Sequence, residues 1–400
     1  MHLNESIGSV GHLCYCSNIH PGESWQEVQA NLHRHIPGIR QSLHPHGDFG
    51  LGLRLSAAAV SDLAKPEALE EFKTFLNTSN SYVFTINGFP YGPFHGTRVK
   101  EDVYLPDWKD SERLRYSNQL ADVFSEFLPE GQVGSISTVP GAFKASVAGS
   151  EDIARMARFY VQHAAHLARL ERSSGKSIVL AIEPEPCCFL ETIDESIDFF
   201  TNYLHSPAAV NQLRDELGVS ATESKNLLRK HLTLCLDLCH AAVEFEDCNT
   251  CLDALENAEI TIGKLQISAG LLVPNVTKDS ARLLEPYIDQ VYLHQVIEKI
   301  DGQINRYKDL PDALNNLNDN NDNREWRVHF HVPIFHDDLG DFSSTQFFIS
   351  EALARHKIKP ISEHLEVETY TWDVLPPHLR DITVDEAITR ELQWVMNKLS

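Results

Sequence analysis

No stretch of the chain approaches the roughly 20 consecutive apolar residues that span a bilayer. Its opening, MHLNESIGSVGHLCY, has neither the basic head nor the long apolar core of a secretory signal. A cytoplasmic protein is expected. Cysteine is scarce at 8 in 400 residues, and Cys187 and Cys188 are adjacent, which makes them poor bridge partners. Free thiols are therefore expected rather than a disulfide scaffold. Positive charge is also in deficit: 34 Lys and Arg against 57 Asp and Glu leave a net charge of −23. No basic run is long enough to neutralise a row of phosphates, so nucleic acid is not an expected partner. Missing too are a G-x-S-x-G elbow, a phosphate-binding P-loop and a G-x-G-x-x-G turn, the usual markers of a hydrolase triad, an NTPase and a dinucleotide enzyme.

Apolar side chains are plentiful. They make up 42% of the sequence, with 9% aromatic, enough to bury a large core and to exclude a disordered chain. Short β-branched runs alternate with longer amphipathic segments, the pattern of a parallel sheet wrapped by helices. The strand candidates are 12–17, 49–56, 81–87, 133–139, 177–183, 231–237, 262–268, 326–332 and 364–371. That is one more than a barrel needs. The spacing of Ile153, Met156, Tyr160, Ala164, Leu167 and Leu170 behind Glu151 and Asp152 predicts a helix over 151–171. Further helices are expected at 24–36, 65–77, 111–128, 190–204, 207–216, 277–288, 310–317 and 344–355. The polar tract Asn315 to Asn323 reads as a solvated connector. A single α/β domain over 1–400, a (β/α)8 TIM barrel with enlarged βα loops near 88–110, 205–230 and 289–310, accounts for the pattern.

In such a barrel the active site lies at the C-terminal ends of the strands. Three of those ends present a carboxylate: Glu183, Asp237 and Glu368. Carboxylates inside a barrel mouth are costly unless a proton or cation compensates them, so a divalent metal ion is expected. Carboxylates with one or two imidazoles suit Mn²⁺, Mg²⁺, Co²⁺ or Zn²⁺. Asp237 and His240 form a D-x-x-H pair whose members both face one ion if the chain curls over the mouth after its strand. Any one of these residues also has a plain reading, as a helix cap or the partner of an Arg. Several strand ends carrying ligand-type side chains together favour the metal.

Glu183-Pro184-Glu185-Pro186, then Asp237-x-x-His240, a His-x-His strand and a last strand ending in Glu resemble the xylose-isomerase-like TIM-barrel superfamily of sugar isomerases, sugar epimerases and endonuclease IV. More narrowly, Cys16-Ser17-Asn18-Ile19-His20-Pro21-Gly22-Glu23, Asn87-Gly88-Phe89-Pro90-Tyr91-Gly92 and Leu365-Glu366-Val367-Glu368-Thr369-Tyr370-Thr371-Trp372 resemble the EboE-type "metabolite traffic" proteins of bacterial ebo gene clusters. The superfamily resemblance implies a divalent ion held by Glu183, Asp237, a late-strand histidine and Glu368, with His240 as a second ligand or substrate contact. Gln266 sits about where the family's histidine falls after Asp237. His331 fits the order of the last two strands and is the better donor, with His329 on the same strand face as the alternative.

Other mouth residues carry two readings each. His20 is a substrate or second-metal contact, or a turn histidine before Pro21-Gly22. Lys144 binds a ligand anion or lies exposed. Phe89, Tyr91, Phe94 and Trp372 wall the mouth or pack in the core. Asn87, Tyr91, Glu185, Gln266 and His329 complete the expected substrate contacts. Cys235, Cys239, Cys248 and Cys251 include a C-x-x-C but not the paired knuckles of a zinc ribbon. The resemblance implies isomerisation or epimerisation of a small polar or sugar-derived metabolite, with Glu183 and Glu368 moving a proton. Metal-assisted hydrolysis is a rival on the same scaffold. The third reading is a metabolite carrier working with other proteins of its gene cluster. Bound metal and a polar mouth favour catalysis, whereas an apolar, metal-free mouth favours carriage.

Overall fold

Buried on both faces, strands rich in Leu, Ile and Val pair side by side in parallel, as the apolar runs require. The computed structural model describes the chain apart from residues 6–7, 45, 94, 96–99 and 318–322. The barrel strands are β2 (Gly8–Tyr15), β3 (Phe49–Arg54), β4 (Ser81–Asn87), β5 (Val133–Thr138), β6 (Ser177–Ile182), β7 (Leu232–Asp237), β8 (Ile262–Ile267) and β14 (His364–Val367). A short β1 (His2–Glu5) pairs antiparallel with β2. Around the sheet the order is β1-β2-β14-β8-β7-β6-β5-β4-β3. A parallel bridge between Cys16 and Gly52 joins β3 back to β2, which makes this a (β/α)8 barrel. Glycine is needed at 52: a Cβ there would run into the Glu366 carboxylate and the Tyr15 carbonyl.

The surplus strand candidate has a definite place, and it is not in the barrel. After Ser268 the chain leaves β8 and builds a separate antiparallel sheet, ordered β11-β10-β12-β9-β13. Its strands are β9 (Ala269–Val273), β10 (Val296–Ile300), β11 (Gln303–Tyr307), β12 (Arg324–Val332) and β13 (Ser343–Ser344). The expected barrel strand 326–332 is thus β12 of an excursion. The seventh barrel strand is β8, which pairs with β7 on one side and β14 on the other. The placement of 326–332 as a late barrel strand is therefore corrected. β12 is apolar enough for a barrel because both of its faces are covered, which is why composition did not separate the two.

The expected helix over 151–171 spans Ser150–Ser174 and ends at Gly175, whose φ of +74° suits a left-handed cap. Expected helices at 24–36 and 65–77 span Trp25–Leu43, behind a Ser24–Glu27 capping box, and Pro66–Thr78. Helices at Ala221–His231, Leu238–Val243, Cys248–Asn257 and Val384–Leu399 were not expected. No helix among the described residues is long and apolar enough to cross a membrane.

The last helix holds the mouth together. Glu391 accepts hydrogen bonds from Thr369 Oγ1 (2.7 Å), beside the end of β14, and from the Ile334 amide (3.2 Å), beyond β12. Burial pushes its carboxyl up to about 7 against the pull of those two bonds. A carboxyl raised in the folded state gives its full stabilisation below its unfolded value of 4.5 and loses it as pH rises through about 7. Glu391→Gln cannot ionise, so its melting temperature relative to the parent is expected to rise across that window. The gap corresponds to at most about 3 kcal/mol. Thermal melts from pH 4.5 upward check this, and a gap that does not change with pH would refute it.

Candidate functional site

The strand ladders continue one residue past β6 and β14, because the Glu183 amide donates to the Thr138 carbonyl and the Glu368 amide to Ile267, each at 3.1 Å. That carries both carboxylates to the barrel mouth, level with Asp237 at the end of β7. All three are buried, and one oxygen from each lies within 4.8 Å of the others. The side chain of Gln266, pointing inward from β8, reaches all of them. Its Nε2 donates to Glu183 Oε1 (2.7 Å), to Asp237 Oδ2 (2.9 Å) and to Glu368 Oε2. An amide nitrogen has two hydrogens, so three carboxylates converge on a donor that satisfies only two at once.

Each carboxylate is also fixed from behind. Asn18 Nδ2 (2.6 Å) and Asn87 Nδ2 (3.1 Å) hold Glu368 Oε1. Asp237 Oδ1 accepts from Ser268 Oγ (2.6 Å) and from the amides of Cys239 (2.7 Å) and His240 (3.0 Å), so it caps the helix Leu238–Val243. One oxygen of Asp237 thus caps the helix, and the other faces the cluster. One pleat lower on the same strands, Lys264 Nζ pairs with Glu366 Oε1 at 2.6 Å, both fully buried.

The electrostatics match a site short of positive charge. Burial, with Asp237 adding to it and His240 opposing it, pushes Glu183 up to about 7. Burial and the other two carboxylates push Glu368 well above the ordinary range. Asp237 stays below that range, because His240, His331, Ser268 and the His240 amide outweigh its burial. Glu183 Oε2 is buried without a hydrogen-bond partner. A divalent cation fits this donor set: its two charges would offset most of the carboxylates' three and give that oxygen a partner.

A second cluster adjoins on the Asp237 side. β12 carries an irregularity against β9, where Val328 pairs with Leu271 but His331 with Gly270. Such bulges re-aim side chains, and here His329 and His331 both reach the mouth. His240 Nε2 lies 3.1 Å from His329 Nε2 and 3.9 Å from Asp237 Oδ2. Burial lowers His331 to about 4 and His329 well below its usual value, so both imidazoles are neutral at pH 7.

The clusters line one side of a cavity of about 50 Å³. Asn18, Asn87, Glu183, Glu185, His240, His329 and Glu368 give it a polar floor, and Phe89, Tyr104, Tyr292 and Tyr370 an aromatic wall. Burial pushes Glu185 up to about 8, and its Oε1 accepts from Tyr104 at 2.7 Å.

Of the expected contacts, Asn87, Glu185, Gln266, His329 and His331 come together here with the carboxylates and His240. Three others do not. Lys144 Nζ is tied to Glu191 (2.5 Å) and Glu195 (2.8 Å), His20 stacks on His35 at 4.0 Å, and Tyr91 donates to Glu112 (2.6 Å). Phe89 lines the cavity, Trp372 is buried away from it, and Phe94 lies outside the described residues. All eight cysteines are free, and Cys248 and Cys251 sit on one helix. Asn18, Tyr104, Tyr292, Tyr370 and Gln295 were not singled out by sequence reasoning. Asn18 carried a signal as the polar residue just past β2, whereas nothing local marked the tyrosines or Gln295.

No family model matches the sequence, and no curated protein sequence matches it. Among solved structures, the chain is similar to a xylose isomerase-like TIM barrel protein from Mycobacterium smegmatis in complex with magnesium. The TM-score is 0.51 and the identity 10%, over 97% of this chain and 96% of that one. It is also similar to an L-ribulose 3-epimerase, with a TM-score of 0.51 and 12% identity over 97% of this chain and 94% of the other. At these identities the likeness is one of fold: a xylose-isomerase-like TIM barrel.

Proposed function

We propose that the protein is a divalent-metal-dependent enzyme of the isomerase or epimerase type, acting on a small polar or sugar-derived metabolite. The observation that carries this is the convergence of Glu183, Asp237 and Glu368, all buried, with Glu183 Oε2 unpartnered and Glu183 and Glu368 lining the cavity at the mouth. These carboxylates, with an oxygen of Gln266 available by rotation of its amide, would hold the ion. When bound, it supplies Lewis acidity toward adjacent substrate oxygens. Glu183 and Glu368 stand on different strand ends of one floor, where each reaches a carbon-bound proton of a substrate lying across the mouth. Asn18 and Asn87 keep Glu368 in place for that work, and the tyrosine wall excludes water and offers rings to the apolar face of a sugar.

The likeness of the two magnesium- and sugar-related barrels supports this reading, and the motifs quoted from Cys16, Asn87 and Leu365 onward extend it to an EboE-type role in a secondary-metabolite pathway. The test is proton exchange. Chain loaded in turn with Mn²⁺, Mg²⁺, Co²⁺ or Zn²⁺ is incubated in D2O with a panel of pentoses, hexoses and their ketoses, and NMR reads deuterium at the carbon beside the carbonyl. Exchange with at least one sugar is expected. Metal-loaded chain that binds a sugar but exchanges no proton with any of them would favour the carrier reading instead.

A further inference from the structure

At about 50 Å³ the mouth cavity has room for roughly three to five waters, far short of a sugar. The mouth is closed. Two loops cover it: the 3-10 turn Lys100–Tyr104, which supplies Lys100, Val103 and Tyr104 to the lining, and the stretch 289–294 ahead of β10, which supplies Tyr292 and Leu293. That stretch belongs to no strand or helix. Its amides bond to carboxylates instead, with Val291 and Tyr292 donating to Asp289 Oδ1 and His294 to Asp309 Oδ1 (3.0 Å). Backbone held in this way lies at the low end of local stability. Tyr292 packs outside the main core, against Val103 of the facing turn and against Tyr370. Lys100 ties the two loops together. Its amide donates to the Val291 carbonyl (3.0 Å), and its Nζ donates to the Asp289 carbonyl (3.1 Å) and to Asp309 Oδ2 (2.7 Å). The two side chains of this ion pair are only 10% and 16% exposed, whereas the Lys308–Glu101 pair beside it is half-exposed and holds little.

We infer that 289–294 is a gate over the mouth and that the Lys100–Asp309 ion pair is its latch. The ends of the gate are fixed. On one side the Tyr287 ring packs edge-on against Phe330 (5.2 Å) and Phe342 (5.7 Å), and on the other the Gln295 carbonyl accepts from the His329 amide (2.8 Å). The facing turn is the post, because the Tyr104 hydroxyl is held between Glu185 Oε1 (2.7 Å) and Gln295 Nε2 (3.2 Å). Asp309 grips the latch with one oxygen and the His294 amide with the other, so release of Lys100 loosens the gate itself. Opening admits a ligand to the carboxylate floor, and closing shuts water out behind it. The inference rests on the reading of the mouth as a binding site, but its test needs no turnover.

The experiment uses full-length chain and two readouts. Amide hydrogen exchange reports opening: in Lys100→Met and in Asp309→Asn, the Val291, Tyr292 and His294 amides are expected to exchange at least about tenfold faster, the scale of a lost charge-assisted hydrogen bond, while β6, β7 and β14 keep their rates. Asp309→Asn keeps an oxygen for the His294 amide. Lys308→Met, which loses only the half-exposed pair, should leave the exchange of 289–294 unchanged. Stopped-flow loading of Mn²⁺, and its release to a chelator, report passage. Both rates are expected to rise by the same factor in the latch variants with the equilibrium affinity unchanged, because an unlatched gate lowers one barrier in both directions. Equal amide exchange in the parent and both latch variants overturns the proposal, as does protection lost from the barrel strands as well. Faster exchange of 289–294 at unchanged metal rates also overturns it, since the loop then opens without controlling passage. If Lys100→Met does not fold, Asp309→Asn decides. If the parent binds no metal, the isomerase reading fails and amide exchange alone decides the gate.

Discussion

Glu183→Gln and Glu368→Gln are each expected to slow proton exchange on the responsive sugar by about 10²- to 10⁴-fold, the range lost with a positioned acid or base. Glutamine keeps the shape and one oxygen but cannot take a proton. The two variants should also differ in kind. Asn18 and Asn87 clamp Glu368, whereas Glu183 has one oxygen bound by Gln266 and the other unpartnered. If each carboxylate serves one face of the substrate, each variant loses exchange from one epimer more than from the other. Rates are read at saturating metal, with metal content measured in the same samples, so that loss of the ion is not mistaken for loss of the base. Exchange within about threefold of the parent in both variants would remove proton transfer from these residues.

The second large effect belongs to Asp237. Asparagine caps a helix about as well as aspartate, so Asp237→Asn should leave the turn into Leu238–Val243 intact. What it removes is the negative charge of Oδ2, which faces the carboxylate cluster on one side and His240 on the other. Affinity for the divalent ion should fall by at least about tenfold, the scale at which even supporting groups matter and a lower bound for a direct ligand. Competition against a chelator of known affinity measures it. An unchanged metal affinity at an unchanged melting temperature would mean that Asp237 acts only as a cap.

Much of the barrel was legible in the sequence because parallel strands buried on both faces read as apolar runs, and the amphipathic helix behind Glu151 and Asp152 announced itself by period. Glu183, Asp237 and Glu368 were legible for the same reason: each stands where an apolar run stops. The order of the late strands was not. β12 (RVHFHV within Arg324–Val332) is as apolar as a barrel strand because it lies between β10 and β9 with both faces covered. Burial, rather than membership of the barrel, is what composition records. The meeting of His329 with His240 depends on the irregularity at 328–331, a feature with no sequence marker. Lys144 looked free because its partners Glu191 and Glu195 lie some fifty residues away and on another element.

β14 is the last strand in sequence, yet in space it lies between β2 and β8. During synthesis the first and seventh barrel strands must therefore wait, each with an unpaired edge, until His364–Val367 has left the ribosome. An open strand edge is a template for pairing with other chains, and large proteins with late-forming pairings expose such edges longest. Asn18 and Glu368, 350 positions apart, meet only at that last insertion. The nascent chain thus carries no partly working mouth: the pocket and the protected barrel are completed by one event.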